Sequence, residues 1–425
     1  MQLDLRSRAK KVAAAAVILL LAGAYLAVGA ARFLAAWVAD DSNPVRLQRA
    51  ARLDRSNAEF PYKLGDYYLV GGQAPQQAVY WLRRATALNP LAARYWVDLA
   101  IAQQTLGRLD AERQSLERAL AVDSHTPDIA WEAANLYLAQ GSPDAAMKQF
   151  HTVLQNDPPL TWLALSTCWK MRPDIDYLLS DVVPPGTDPL FLKLLLSQNQ
   201  TAASEKVWER IFSQQQPVER QDLFDYIRYL IQHHEVSQAQ RAWQEAAQLS
   251  DLGAYQASSE NLLINGDFSL DILNGGFDWL HHKNTGVTLA LDPNEGHSGS
   301  RSLRITFDGP PVTDAGIGQM VPVDPGTRYE FSAFYKAEEM DGAGGMEFSI
   351  QDLYHENPLF MSDDLHDADF WKKISGSFVT GTDTRLVLVH LVRVPSGRPI
   401  RGKLWIDGLQ LIRSEHGSSS ETEAK

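Results

Sequence analysis

Residues recur through the middle of this chain at a fixed interval of 34. Gly107 and Gly141 stand that far apart, as do Leu116 and Phe150, Ala119 and Val153, and Trp96 and Ala130. Leu82, Ala85 and Pro90 precede Leu116, Ala119 and Ser124 by the same step. Such an interval marks a repeated supersecondary unit, too small to bury its apolar face except against its neighbours. Proline stops a helix, so Asn89-Pro90 and Asp157-Pro158 read as the ends of units. The clearest units run over 58–90, 91–124 and 125–158, within a helical region expected to fill 40–251. Gly107 and Gly141 read as sites where two helices of one unit approach closely. Pro173, Pro184, Pro185 and Pro189 interrupt regular stacking, and Ala239, Trp243 and Ala246 resume the spacing of a second helix.

Leu64-Gly65-x-x-Tyr68 and Trp96-x-x-Leu99-Ala100, with Ala78 and Ala146 at the small position of the second helix, resemble the tetratricopeptide repeat. Two departures stand out: an extra residue near Gly71-Gly72, and Glu112 where a small side chain is usual. The resemblance implies an α-solenoid of helix pairs with a concave docking surface. Its register places Tyr62, Arg94, Trp131 and Asn135 on that surface, with Glu59, Asp66, Val97, Ile101 and Leu138 beside them. A protein-docking role and a rigid-spacer role both remain open.

The amino terminus carries Arg6, Arg8, Lys10 and Lys11 ahead of the uncharged run 12–31. That length matches the roughly 20 residues that cross a hydrocarbon core. Asp40 and Asp41 follow the apolar stretch. Basic residues before the span and acidic ones after it place the start in the cytoplasm. The expectation is therefore a single-pass inner-membrane protein, anchored over 1–39, with its bulk on the periplasmic or extracytoplasmic side. A cleaved signal peptide is the rival, since Ala27-Val28-Gly29-Ala30-Ala31 offers small residues for cleavage.

The net charge of −13 argues against a nucleic-acid binder, which needs a basic stripe to neutralise phosphates. Cys168 is the sole cysteine, which rules out an intramolecular disulfide and a thiolate metal cluster.

Past Ala246 the composition turns from Ala/Leu/Gln-rich to Gly/Asp/Phe-rich, and 252–259 reads as a linker. Eight short strand candidates follow: 287–291, 302–307, 317–323, 328–336, 346–353, 371–380, 385–393 and 403–411. Tyr329, Phe331, Ala333 and Tyr335 alternate as one buried face of a sandwich would. Asp324-Pro325-Gly326 reads as a turn, with proline presetting one φ and glycine supplying a positive one.

Within 260–413, five strings carry a second resemblance. They are Asn261-Leu262-Leu263-Ile264-Asn265-Gly266-Asp267-Phe268, Gly296-His297-Ser298-Gly299-Ser300, Val323-Asp324-Pro325-Gly326-Thr327, Phe370-Trp371-Lys372-Lys373 and Leu404-Trp405-Ile406-Asp407-Gly408. In this order they resemble the jelly-roll carbohydrate-binding modules of families 4 and 9, within the galactose-binding-like superfold. The resemblance implies an all-β jelly-roll sandwich and glycan recognition. It assigns Trp279, Trp371 and Trp405 to the framework, as core. Tyr354 and Phe360, flanking His355-Glu356-Asn357-Pro358 with Gln351 and Asp352 nearby, are then the ligand candidates. It also implies a structural calcium held by Asp267 and Asp407, although Ser269 replaces an acid often found there. The acidic run Asp363–Asp369 reads as a solvated loop, and 414–425 as a disordered tail.

No catalytic constellation stands out. His233-His234 and His281-His282 are adjacent pairs without helical zinc spacing, and no Gly-x-Ser-x-Gly elbow or P-loop is present. The expectation is a multidomain, non-catalytic envelope protein that docks a protein partner and recognises polysaccharide. A pure protein–protein scaffold is the alternative.

Overall fold

The computed structural model describes residues 8–356, 358–366 and 368–414. Arg6, Asn357, Asp367 and the tail beyond Ser414 lie outside the described residues. The chain divides into two compact units, 1–187 and 188–425.

The first unit is helical. α1 (Arg8–Val38) is long and apolar enough to cross a membrane, and none of its most apolar stretch is buried against protein. α2 (Pro44–Leu53) starts at Asn43, whose side chain accepts the Val45 and Arg46 N–H groups, an N-cap with proline at the first helical position. Then follow α3 (Glu59–Asp66), α4 (Pro75–Leu88), α5 (Ala93–Thr105), α6 (Leu109–Val122), α7 (Pro127–Ala139), α8 (Pro143–Asn156), α9 (Pro158–Met171) and the single turn α10 (Ile175–Tyr177). α4, α6 and α8 begin at Pro75, Leu109 and Pro143, which keeps the 34-residue interval. α3 packs on α4, α5 on α6 and α7 on α8.

The extra residue near Gly71 is absorbed by a π-helical turn over Tyr67–Gly71, closed by Gly72 N–H donating to the Tyr67 carbonyl. Such a turn accommodates one residue more than an α-helix would. The reading of Gly107 and Gly141 as close-approach sites is overturned. A Cβ on either would meet nothing within 4 Å, and both have positive φ, +68° and +70°. They end α5 and α7 in the left-handed conformation that glycine adopts without strain. The close approach is at Gly65, where a Cβ would overlap Leu82, itself fully buried. Glu112 is also buried; one oxygen accepts a 2.9 Å hydrogen bond from Gln140.

The second unit opens with α11 (Asp188–Ser197), α12 (Thr201–Ser213), α13 (Arg220–Gln232) and α14 (Val236–Leu249). The expected linker 252–259 begins inside a 3-10 turn that buries Leu252, and Tyr255 accepts the Trp243 indole N–H at 2.9 Å. These helices share one compact unit with the β domain.

Among its described residues the β domain has ten strands: β1 (Leu280–His281), β2 (Val287–Asp292), β3 (Ser302–Val312), β4 (Asp314–Pro322), β5 (Arg328–Asp341), β6 (Gly345–Asp352), β7 (Pro358–Met361), β8 (Lys372–Val379), β9 (Leu386–Val394) and β10 (Arg398–Arg413). The eight expected strands correspond to β2–β6 and β8–β10; β1 and β7 are additional. Two antiparallel sheets form, in the orders β1-β4-β9-β6-β7 and β2-β3-β10-β5-β8. Between them lies a core that includes Phe307, Phe331, Tyr335, Phe348, Val389, Leu404 and Ile406. Gly326 takes φ +60° in the turn before β5.

The first sequence string clips this sandwich together. Asn261 accepts Leu411 N–H and donates to the Leu409 carbonyl, while buried Gln319 both donates to and accepts from the backbone of Ile264. The buried Gln319 amide thereby has partners on both its oxygen and its nitrogen.

Candidate functional site

The outer face of the second sheet carries an aromatic patch. In β10 the core residues Leu404 and Ile406 alternate with Trp405 and Asp407, which therefore project from the opposite face. In β5 the same parity turns Phe334 outward between Ala333 and Tyr335, opposite Asp407 on one side and Lys373 on the other.

Asp407, fully buried, accepts N–H groups from His297 (2.6 Å), Ser298 (2.8 Å) and Gly408 (2.6 Å). A carboxylate receiving several backbone N–H groups is a strong anchor. It pins the 296–300 loop over the sheet, so that the His297 ring stacks on Phe334 with centroids 3.6 Å apart. Trp371 stands 5.7 Å from His297, and the Lys373 ammonium lies 5.7 Å from the Phe334 ring. Phe370, next in the chain, is 83% exposed, the most open large apolar side chain described in this unit. Further along β10, Trp405 donates its indole N–H to Asp292 at 3.0 Å, and Lys336 sits 5.5 Å from its ring while pairing with Glu295. That indole donor, with Arg304 beside it, holds Asp292 below the usual carboxylate range.

The framework assignment therefore holds for Trp279 and for Trp405, both buried, although Trp405 packs on the outer side of its sheet, and it fails for half-buried Trp371. Trp279 is core, with its N–H on the Asn265 carbonyl. Trp371 and Trp405 lie outside the core cluster, on the outer face. The strand parity already visible in Tyr329, Phe331, Ala333 and Tyr335 is the signal that would have turned Phe334 outward.

The four ligand candidates are not brought together. Phe360 lies opposite Ile350 and faces inward, 5.7 Å from Phe331, where a Cβ on Gly376 would overlap its ring. Tyr354 turns to the helices, its hydroxyl donating to the Ile231 carbonyl at 2.9 Å and its ring stacked on His234 at 4.1 Å. Burial pushes its phenol up to about 12. Asp352 is a buried loop anchor, accepting Thr384 Oγ1, Tyr354 N–H and His355 N–H. Burial opposes its ionisation, yet these donors keep it below the usual range. Gln351 sits half-buried on the outer face of the first sheet, beside Leu388 in register.

The two aspartates assigned to calcium are engaged by donors of the protein itself. Asp407 meets N–H donors on both oxygens, and Asp267 Oδ1 caps Ser269 N–H and Oγ. Among the described residues, no group of three or more His, Cys, Asp or Glu side chains is arranged to hold a metal.

Of the docking-surface candidates, Tyr62 and Arg94 belong to one cluster. Tyr62 stacks on Tyr95 at 4.3 Å, and Arg94 pairs with buried Asp98 at 3.1 Å. Burial, with Asp98 next to it, raises the Tyr62 phenol to about 12. Trp131 packs edge-on against Phe150 at 5.7 Å, and exposed Asn135 donates to the Trp131 carbonyl.

Sequence reasoning also missed Asp278, which is fully buried, with Oδ2 accepting Leu273 N–H at 2.7 Å and Oδ1 without a partner. Its loop seats on the helices: a Cβ on Gly275 would overlap Phe224, and one on Gly276 would overlap Trp243. Burial raises Asp278 to about 6.

Residues 260–393 match the carbohydrate-binding domain of families 4 and 9. Among curated proteins no relative matches. Solved structures similar to parts of the chain include a family 4 carbohydrate-binding module, 16% identical over 36% of this chain and 99% of that one, TM-score 0.29. MamA is 17% identical over 40% and 88%, TM-score 0.28. The CBM22-1 xylan-binding domain of Paenibacillus barcinonensis Xyn10C is 18% identical over 37% and 96%, TM-score 0.26. The segment from Glu260 is thus a carbohydrate-binding-type β domain.

Proposed function

We propose that this chain is a non-catalytic, membrane-anchored envelope protein. Its β domain recognises a glycan and its tetratricopeptide-like helix pairs dock a protein, in polysaccharide assembly, export or surface attachment. α1 serves as the anchor in this reading, with the start in the cytoplasm and the rest on the extracytoplasmic side; the charge order Arg8, Lys10, Lys11, then Asp40, Asp41 supports that direction.

The observation that carries the glycan reading is the aromatic patch of exposed Phe370 and His297 beside half-buried Trp371 and Phe334, on a domain of the carbohydrate-binding family. A pyranose presents a C–H face that stacks on such rings, while Lys373 and Ser298 stand near enough to serve its hydroxyls. Each Å² of apolar surface covered contributes about 25 cal/mol, so one or two rings give roughly millimolar to micromolar binding.

Affinity electrophoresis of the full chain in detergent, through gels containing surface polysaccharides, tests this. Retardation by at least one polysaccharide, weakened by Phe370→Ala and Trp371→Ala, is expected. No retardation in any gel would leave the scaffold reading in its place.

A further inference from the structure

In the helical unit Arg46, Arg94 and Arg172 each have a carboxylate within 4.0 Å, whereas Arg49, Arg52, Arg55 and Arg113 stand without one at scattered positions among the described residues. Arg83, Arg84, Arg108 and Arg118 have none among the described residues. All four line one trough between α4 and α6, made of two grooves of about 890 and 500 Å³ that share Arg83. The carboxylate among the lining side chains is Glu117. In a chain of net charge −13, four unpaired guanidinium groups along one trough are a local reversal of sign.

The walls have helical spacing. Gln76, Tyr80, Arg83 and Ala87 follow each other by three or four residues on α4, as do Ala111, Gln114, Arg118 and Ala121 on α6. Residues so spaced form one stripe of a helix. Alanines on both walls let another backbone approach closely, and Tyr80, 61% exposed, offers an apolar anchor at one end.

We infer that this trough is a docking site for an acidic amphipathic helix of a partner protein. Its apolar stripe would enter between α4 and α6, and its carboxylates would meet Arg83, Arg84, Arg108 and Arg118, for which bidentate pairing is available. This surface is carried chiefly by α4 and α6, with Trp96, Leu99 and Gln103 of α5 also lining it, and it includes neither Tyr62 nor Arg94. A polyanionic glycan would match the charge but has no apolar side chains to set against the alanines of the walls.

The test uses the full chain in detergent and a fluorescein-labelled synthetic peptide with Glu and Leu at amphipathic helical spacing, alongside its Lys-for-Glu counterpart. Anisotropy should show binding of the Glu peptide only, weakening as salt rises. Arg83→Glu combined with Arg118→Glu should weaken it at least about tenfold, or about 1.4 kcal/mol. Both side chains are exposed, so circular dichroism should be unchanged. Arg49→Glu with Arg52→Glu, an exposed pair on α2 outside the trough, should leave binding intact. Equal binding by the Arg83/Arg118 variant, or equal loss in the α2 variant, overturns the site. Binding of a soluble polyuronate in place of the peptide, sensitive to Arg83 and Arg118, overturns the helix as occupant.

Discussion

The hydroxyl of Tyr354 donates a 2.9 Å hydrogen bond to the backbone carbonyl of Ile231, near the end of α13. The contact joins the turn after β6 to a helix 123 residues earlier. The same carbonyl accepts His234 N–H at 3.0 Å in the turn that ends the helix, so the tyrosine adds a second donor from the β domain to its other lone pair. Tyr354 thereby ties the α13–α14 pair to the sandwich, and its ring is covered by His234.

Tyr354→Phe should therefore cost about 1 kcal/mol of stability in the second unit, the usual size of one lost hydrogen bond. Tyr354→Ala should cost more, because the ring contact is removed as well. Urea melts followed alongside glycan binding check this. Weakened binding with unchanged stability in Tyr354→Phe would return this residue to the ligand site.

Gly65 and Gly141 should respond differently to substitution. Gly65→Ala places a methyl against Leu82 and should destabilise the helical unit by about 1–3 kcal/mol through overpacking. Gly141→Ala meets open space and should cost only about 1 kcal/mol, for holding a side chain at positive φ. The order of the two melting temperatures decides the matter; a larger loss at Gly141 would contradict the packing described.

Asp278 sets a pH dependence. Its pKa is about 6 when folded, above the ordinary value of 3.8, so folding favours the protonated form. The stability it contributes is complete below about pH 4 and is lost as pH rises through 6. Asp278→Asn should then be more stable than the parent at pH 7 by about 1–3 kcal/mol, with the gap closing near pH 4. Chemical denaturation across that range measures it, and a gap independent of pH would remove Asp278 as the cause.

The tryptophans should separate by face. Trp279→Ala empties a core site and should cost about 3–5 kcal/mol. Trp371→Ala removes a partly exposed ring and should leave the domain folded, within about 1 kcal/mol of the parent. Calorimetry of both variants checks this; unfolding of Trp371→Ala would place that ring in the core.

Much of the architecture is local and was legible in the chain. The 34-residue interval locates α4, α6 and α8, and eight of the ten strands follow from alternation and turn residues, because both patterns depend on neighbours two to four positions away. The π-helical turn at Tyr67–Gly71 could be anticipated as one surplus residue, and Phe334 and Trp405 could have been turned outward by strand parity alone. The rest depended on contacts between distant residues. Gly107 and Gly141 recur as close-packed positions would, yet only the backbone φ shows that they end helices. The string 404–408 supplies Asp407, but its role as a loop anchor is decided by His297 and Ser298, more than a hundred residues earlier, whose N–H groups both donate to its Oδ2. Tyr354 and Phe360 are both aromatic and near one loop; packing alone sends one to a helix end and the other into the sandwich. Chain neighbours determine a residue's secondary structure and which face it takes, whereas the groups that fold against that face determine whether it serves the core, a contact or a ligand.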